Sequence, residues 1–94
     1  MSAFPARVEG RDAGDVLLYA LSTCVWCRRA RQYLDSLGVA YSYIYVDLLE
    51  PAEMDGAVEA MAAFNPRRSF PTIVIGGARV ITGFDEKALR EALG

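Results

Sequence analysis

An unbroken apolar run, Val16-Leu17-Leu18-Tyr19-Ala20-Leu21, leads through Ser22 and Thr23 into Cys24-Val25-Trp26-Cys27 and then into a helical pattern that ends at Leu37. This stretch constrains the fold more than any other. A run of that length with no polar alternation reads as a strand buried on both faces, so it demands a layer above and a layer below. In the helical pattern, Cys27, Ala30, Leu34 and Leu37, with Tyr33 beside them, form one apolar stripe. Arg28, Arg29, Gln32, Asp35 and Ser36 take the other face, and Gly38 stands where such helices commonly end. The register separates the two cysteines of the chain: Cys27 falls on the core side and Cys24 at the exposed tip.

Tyr41 to Val46 is rich in aromatic and β-branched residues and reads as a second strand. A long helical crossover joins it to the first, which makes the two parallel. Glu50-Pro51-Ala52-Glu53 reads as a helix entry, with proline in the first turn and carboxylates near the positive end of the dipole. Met54, Ala57, Val58 and Met61 continue it at helical spacing, Phe64 follows, Gly56 weakens it, and Asn65-Pro66 stops it. Pro71 to Ile75 and Ala78 to Thr82 flank the turn signal Gly76-Gly77 and read as an antiparallel hairpin. Asp85 is placed to cap a last helix, with Phe84 and Leu89 spaced for a hydrophobic staple and Leu93 on the same face. The alternating Tyr41, Tyr43 and Tyr45 read as sheet packing, and Met54 and Met61 as core. Residues 1–14, with Pro5, Gly10 and Gly14, show no sustained period and read as a loose arm carrying at most a short edge strand near Val8. Residues 15–94 form one α/β domain, β-α-β-α-β-β-α, with four strands and helices on both faces.

Composition narrows the function. The 94 residues suffice for one core, and 53% hydrophobic content argues for a globule rather than a disordered chain. A net charge of −2 does not point to nucleic acid or an anionic membrane. No apolar run approaches the ~20 residues that span a bilayer, and the first fifteen residues hold no apolar signal segment. Two cysteines do not make a secreted disulfide framework, so the expected compartment is a reducing cytoplasm. The absence of histidine removes His bases, Ser-His-Asp and Cys-His catalysis and imidazole ligands. Chemistry must come from thiols, carboxylates, amines, hydroxyls or the backbone.

Thiol–disulfide exchange begins with a thiolate, and a helix N-terminus favours one through its unpaired N–H groups and dipole. Cys24 at that tip, with Arg28 and Arg29 nearby, is the candidate nucleophile, and Cys27 is placed to attack the mixed disulfide and release the product. Two alternatives stand beside this. A structural disulfide over so short a loop removes little unfolded-chain entropy. A metal or iron–sulfur site would find only two cysteine ligands in one chain, so it would need a dimer sharing the group through Cys24; no metal site is expected within the single chain. Trp26 lies off the apolar stripe and reads either as an exposed platform for substrate or as a ring folded back on its own helix. Arg67 and Arg68 read as solvated charges or as a carboxylate site, and Phe70-Pro71 as a strand entry whose peptide bond is by default trans.

Three motifs in order, Cys24-Val25-Trp26-Cys27 after a strand, Phe70-Pro71-Thr72 before a hairpin and Gly83-Phe84-Asp85 at the last helix, resemble the signatures of glutaredoxin-like proteins of the thioredoxin fold. The resemblance spans about Asp15 to Leu93. It implies a mixed four-stranded sheet, a cis bond at Pro71, Cys24 as nucleophile and Cys27 as resolving thiol. It further implies that Phe70 offers backbone hydrogen bonds to substrate, that Gly83, Phe84 and Asp85 hold a γ-glutamyl end and that Arg67 or Arg68 holds a glycyl carboxylate. The implied activity is a monomeric oxidoreductase acting on protein disulfides or glutathione mixed disulfides, with no tightly bound cofactor and glutathione as co-substrate. Three positions depart from the pattern: Val25-Trp26 replaces Pro-Tyr, Leu21 replaces a lysine and Thr82-Gly83 replaces Gly-Gly. Val25 and the Gly83-Phe84 pair are more similar to redoxins that take electrons from thioredoxin reductase, which is the alternative donor.

Overall fold

The structure, a computed structural model, describes residues 4–94. Its sheet contains β1 (Ala6–Val8), β2 (Val16–Ala20), β3 (Tyr41–Tyr45), β4 (Thr72–Ile75) and β5 (Arg79–Thr82) in the order β1-β3-β2-β4-β5. The helices are α1 (Val25–Leu37), α2 (Pro51–Ala62) and α3 (Glu86–Leu93).

The apolar run is the middle of the sheet. β2 pairs in parallel with β3, Leu18 opposite Tyr43, and antiparallel with β4, Leu18 opposite Ile73. Its side chains therefore serve two cores. Leu18 and Ala20 join Cys27, Ala30 and Leu34 of α1 and Leu89 and Leu93 of α3 on one face. Tyr19 joins Val46, Met61 and Val74 on the α2 face, where Met54, Ala57, Val58 and Phe64 pack around them. A strand flanked by two apolar layers cannot alternate with polar residues, which is why its period-2 signal is absent.

The sheet has five strands where four were expected. The additional one is β1, the short edge strand read near Val8, which runs antiparallel to β3 with Ala6 opposite Tyr43 and Val8 opposite Tyr41. Three residues are too few for alternation to show in sequence. The segment after β1 is fastened by backbone: Arg11 N–H donates to Gly38 O at 2.7 Å and Ala40 N–H to Arg11 O at 2.8 Å. A Cβ on Gly10 would meet Gly38 O at 2.6 Å, so glycine is required for this approach. The Arg11 guanidinium also reaches Leu93 O at 2.6 Å. Residues 1–3 of the expected arm lie outside the described residues.

Other boundaries shift by a residue. Val46 leaves β3 to open a 3-10 turn, Val46–Leu48. Gly76 and Gly77 both have positive φ, 62° and 67°, and Ala78 N–H closes the turn on Ile75 O at 3.3 Å. Ile75 then pairs with Arg79, so Ala78 is an extra residue and β5 starts one position later than read. Asp85 caps α3 as expected, its Oδ1 accepting Ala88 N–H at 3.0 Å.

Candidate active site

The turn between β2 and α1 is closed by Cys24 N–H donating to Leu21 O at 3.2 Å. Cys24 keeps extended backbone (φ −91°, ψ 119°) and acts as the N-cap of α1: its carbonyl accepts Arg28 N–H at 3.0 Å and its Sγ accepts Cys27 N–H at 3.2 Å. The cap position usually holds a hydroxyl, carboxylate or amide oxygen. A sulfur there sits over amides that the helix leaves unpaired. Cys24 is half-buried, Cys27 is 1% exposed, and both are free thiols. Burial pushes the Cys27 thiol up from its ordinary 9.0 to about 12. The hydrogen bond to Cys24 and the negative charges of Cys24 and Asp47 add to the rise, and a bond with the Leu21 backbone opposes it.

The second segment is set by Asn65. Sequence reasoning took it only as a helix stop, yet it is 3% exposed. Its Nδ2 donates to Thr72 Oγ1 (2.8 Å), Ser69 Oγ (3.0 Å) and Ser69 O (3.3 Å), its Oδ1 accepts Arg67 N–H (3.2 Å), and Thr72 Oγ1 donates to Ser69 O (2.7 Å). Hydroxyls four and seven positions after an Asn were the available signal. This network holds the loop that ends in the cis Phe70-Pro71 bond, as the resemblance implied, with Pro71 fully buried. Pro71 O accepts Gly83 N–H at 2.8 Å, which draws the third motif against the second, and Gly83 has φ 73°, a value L side chains resist.

Trp26, Phe70, Pro71, Gly83 and Phe84 line one groove of about 260 Å³. Trp26 is 57% exposed, so it is not folded into the core. Its ring stacks on Phe84 (centroids 6.3 Å apart, planes at 24°), and Phe84 meets Tyr33 edge-on at 6.1 Å. Trp26 therefore leans on the segment before α3 as well as on its own helix. The Arg29 guanidinium lies 5.3 Å from the Trp26 ring centroid. Neither Arg67 nor Arg68 lines this groove. Arg68 pairs with Glu59 at 3.3 Å, while the exposed Arg67 side chain has no ion-pair partner among the described residues. Leu21, in the place of the usual lysine, packs at the edge of the α2-side core.

A contact between Ser22 and Asp47 was not anticipated. The Ser22 N–H donates to Asp47 Oδ1 at 2.8 Å and Ser22 Oγ to Oδ2 at 2.5 Å. Slight burial raises the Asp47 carboxyl, but these bonds outweigh it and hold the group below its ordinary range. Among the described residues no three His, Cys, Asp or Glu side chains converge as a metal site, and no helix is long and apolar enough to cross a membrane.

A CxxC at a strand-to-helix turn, facing a cis-proline loop, on a mixed sheet with helices on both faces, defines a thioredoxin-fold thiol protein. The glutaredoxin family model matches residues 16–80. The chain is similar to methanoredoxin of Methanosarcina acetivorans (47% identity, TM-score 0.89, 90% of each chain covered). It is also similar to a glutaredoxin from Methanosarcina mazei Go1 (50% identity, TM-score 0.89, 94% of this chain and 85% of that one). A third similar structure is a glutaredoxin from Archaeoglobus fulgidus (33% identity, TM-score 0.79, 84% and 85%). No curated protein sequence matches. The chain belongs to the glutaredoxin family, and its CxxC pair is Cys24 and Cys27.

Proposed function

We propose that the protein reduces disulfides by dithiol exchange, with Cys24 as nucleophile and Cys27 as resolving thiol. One observation carries the assignment: Cys24 is only half-buried, with its sulfur over the Cys27 amide, while Cys27 is buried at the same turn. The Cys24 thiolate attacks one sulfur of a substrate disulfide. The S–S bond breaks, one substrate thiolate leaves and takes a proton from water, and a mixed disulfide remains on Cys24. Cys27 then gives up its proton and attacks the Cys24 sulfur, expelling the second substrate thiolate. Two electrons have passed to substrate, and the Cys24–Cys27 disulfide awaits an external thiol. Order follows from charge. Negative charge on Cys24 is one cause that keeps Cys27 protonated, and mixed-disulfide formation removes it.

The groove of Trp26, Phe70, Pro71, Gly83 and Phe84 receives the chain on either side of the substrate sulfur, with Phe70 backbone as hydrogen-bonding edge. Glutathione is the co-substrate assigned to it, with Asp85 near its amino end and Arg67, free of any carboxylate among the described residues, for its glycyl carboxylate. Arg68, turned to Glu59, is the weaker candidate. Val25 and Gly83-Phe84 favour the alternative donor, thioredoxin reductase, and Leu21 takes the place of the lysine that glutathione use would employ. The working form is a monomer in a reducing cytoplasm, where the dithiol is maintained.

The test is to follow free thiols in the oxidised protein with glutathione in one tube and NADPH plus thioredoxin reductase in another. Fast reduction in the first makes it a glutathione-linked enzyme with Arg67 standing in for the lysine. Reduction in the second alone assigns the reductase. Failure of both contradicts both donor assignments.

A further inference from the structure

The parallel register of β2 and β3 continues past the sheet as a side-chain contact. Ala20 opposite Tyr45 is the last pair of the ladder. Two residues beyond each, Ser22 meets Asp47, and one carboxylate takes both the N–H and the hydroxyl of one residue across 25 positions of chain. Both arms of the contact start from fixed ground, since Ala20 is fully buried and Val46, next to Asp47, is 2% exposed. Ser22 itself lies inside the turn that Cys24 N–H closes on Leu21 O.

We propose that Asp47 is a positioning residue for exchange: through Ser22 it holds the Leu21–Cys24 turn, and so keeps the Cys24 sulfur over the Cys27 amide. The proposal rests on the assignment of Cys24 as nucleophile. The sulfur cap is a single contact made by a weak acceptor, Cys24 Sγ to the Cys27 amide. A carboxylate accepting two donors in a short, charge-assisted pair is stronger. It acts on the residue two positions before the nucleophile, where a small rotation of the turn displaces the sulfur. The Asp47 charge has a second effect. With Cys24, it is one of the two charges that act on the buried Cys27 thiol.

Three variants of the full chain, Asp47→Asn, Asp47→Ala and Ser22→Ala, test this against reduced wild type. The readouts are the single-turnover rate of attack on cystamine, corrected for the folded fraction, and the pH profile of the subsequent resolution step. Asparagine keeps an acceptor for the Ser22 N–H and turns a donor toward Ser22 Oγ, so it retains the hold and loses the charge. Asp47→Ala loses both. The expected result is a loss of about tenfold for Asp47→Ala, since small misplacements of a reacting atom cost that much or more. Asp47→Asn should recover most of that loss, with resolution displaced to lower pH, and Ser22→Ala should fall between. Equal rates per folded molecule in all three, with only the unfolding midpoint lowered, would reduce Asp47 to a structural residue and overturn the proposal. So would an Asp47→Asn as slow as Asp47→Ala. Cys24→Ser run alongside keeps the two readings distinct: if it still attacks cystamine, the nucleophile assignment fails and the proposal with it.

Discussion

In the middle of α1, the Arg31 guanidinium is taken up by its neighbours. Nε donates to Tyr41 Oη at 3.2 Å, Nη1 donates to Tyr45 Oη at 2.9 Å, and the group lies 3.8 Å from the Tyr43 ring centroid. Tyr41 Oη donates onward to Asp35 at 2.7 Å, and Phe4 packs on Tyr43 and Tyr45 at 6.0 and 5.7 Å. Burial works against the Arg31 charge, but the tyrosine oxygens outweigh it and raise its pKa further. At the start of the same helix, Arg28 and Arg29 have no ion-pair partner among the described residues, and Arg29 lies over an aromatic ring that is itself mostly exposed. One region satisfies its polar atoms internally, and its value is stability. The other leaves cations and an indole exposed beside a half-buried thiol, and its value is contact with something else.

Breaking the outward region at its centre gives the largest effect on activity. Cys24→Ser should lower disulfide reduction to the uncatalysed background without loss of stability, because serine is itself a good N-cap; a cystamine assay beside a urea titration reads both. Breaking the inward region does the reverse. Arg31→Met should cost about 2–3 kcal/mol in urea unfolding, from a charged hydrogen-bond set and a cation–π contact, while exchange per folded molecule is kept. Tyr41→Phe should cost about 1–2 kcal/mol by removing the acceptor for Arg31 and the donor to Asp35.

Alkali sharpens the contrast further. Cys27 is raised from 9.0 to about 12 and Tyr41 from 10.0 to about 12, both first by burial. Above its ordinary value each group ionises in the unfolded chain while the folded chain holds the proton, so folded stability falls with rising pH. The reduced protein should lose stability steadily between 9 and about 12. Oxidation, which removes the Cys27 proton from the balance, should flatten the early part of that slope. The smallest effect is Trp26→Ala: stability unchanged within about 0.5 kcal/mol, as at exposed positions generally, with a severalfold rise in KM for a disulfide peptide and kcat kept.

The elements that were legible in sequence are those with a period. The apolar run and the stripe from Cys27 to Leu34 placed the sheet centre, the helix and the opposite fates of the two thiols. Caps with a chemical signature, Gly38 and Asp85, were legible for the same reason. What escaped depends on register or on long-range contact. The edge strand near Val8 was read, but β1 is too short to carry a period that would fix its pairing with β3, and Asn65 is defined by a network, not by a neighbour. Ser22 and Asp47 meet only because β2 and β3 are aligned with Ala20 opposite Tyr45. Arg67 and Arg68 differ by a long-range contact, since Arg68, at φ 55°, meets Glu59 of α2.

The most direct test of the account is the mass of Cys27→Ser protein after incubation with a disulfide peptide. One peptide adduct on Cys24, stable until an added thiol releases it, is the predicted result. Full turnover with no trapped adduct would contradict the division of labour between the two cysteines.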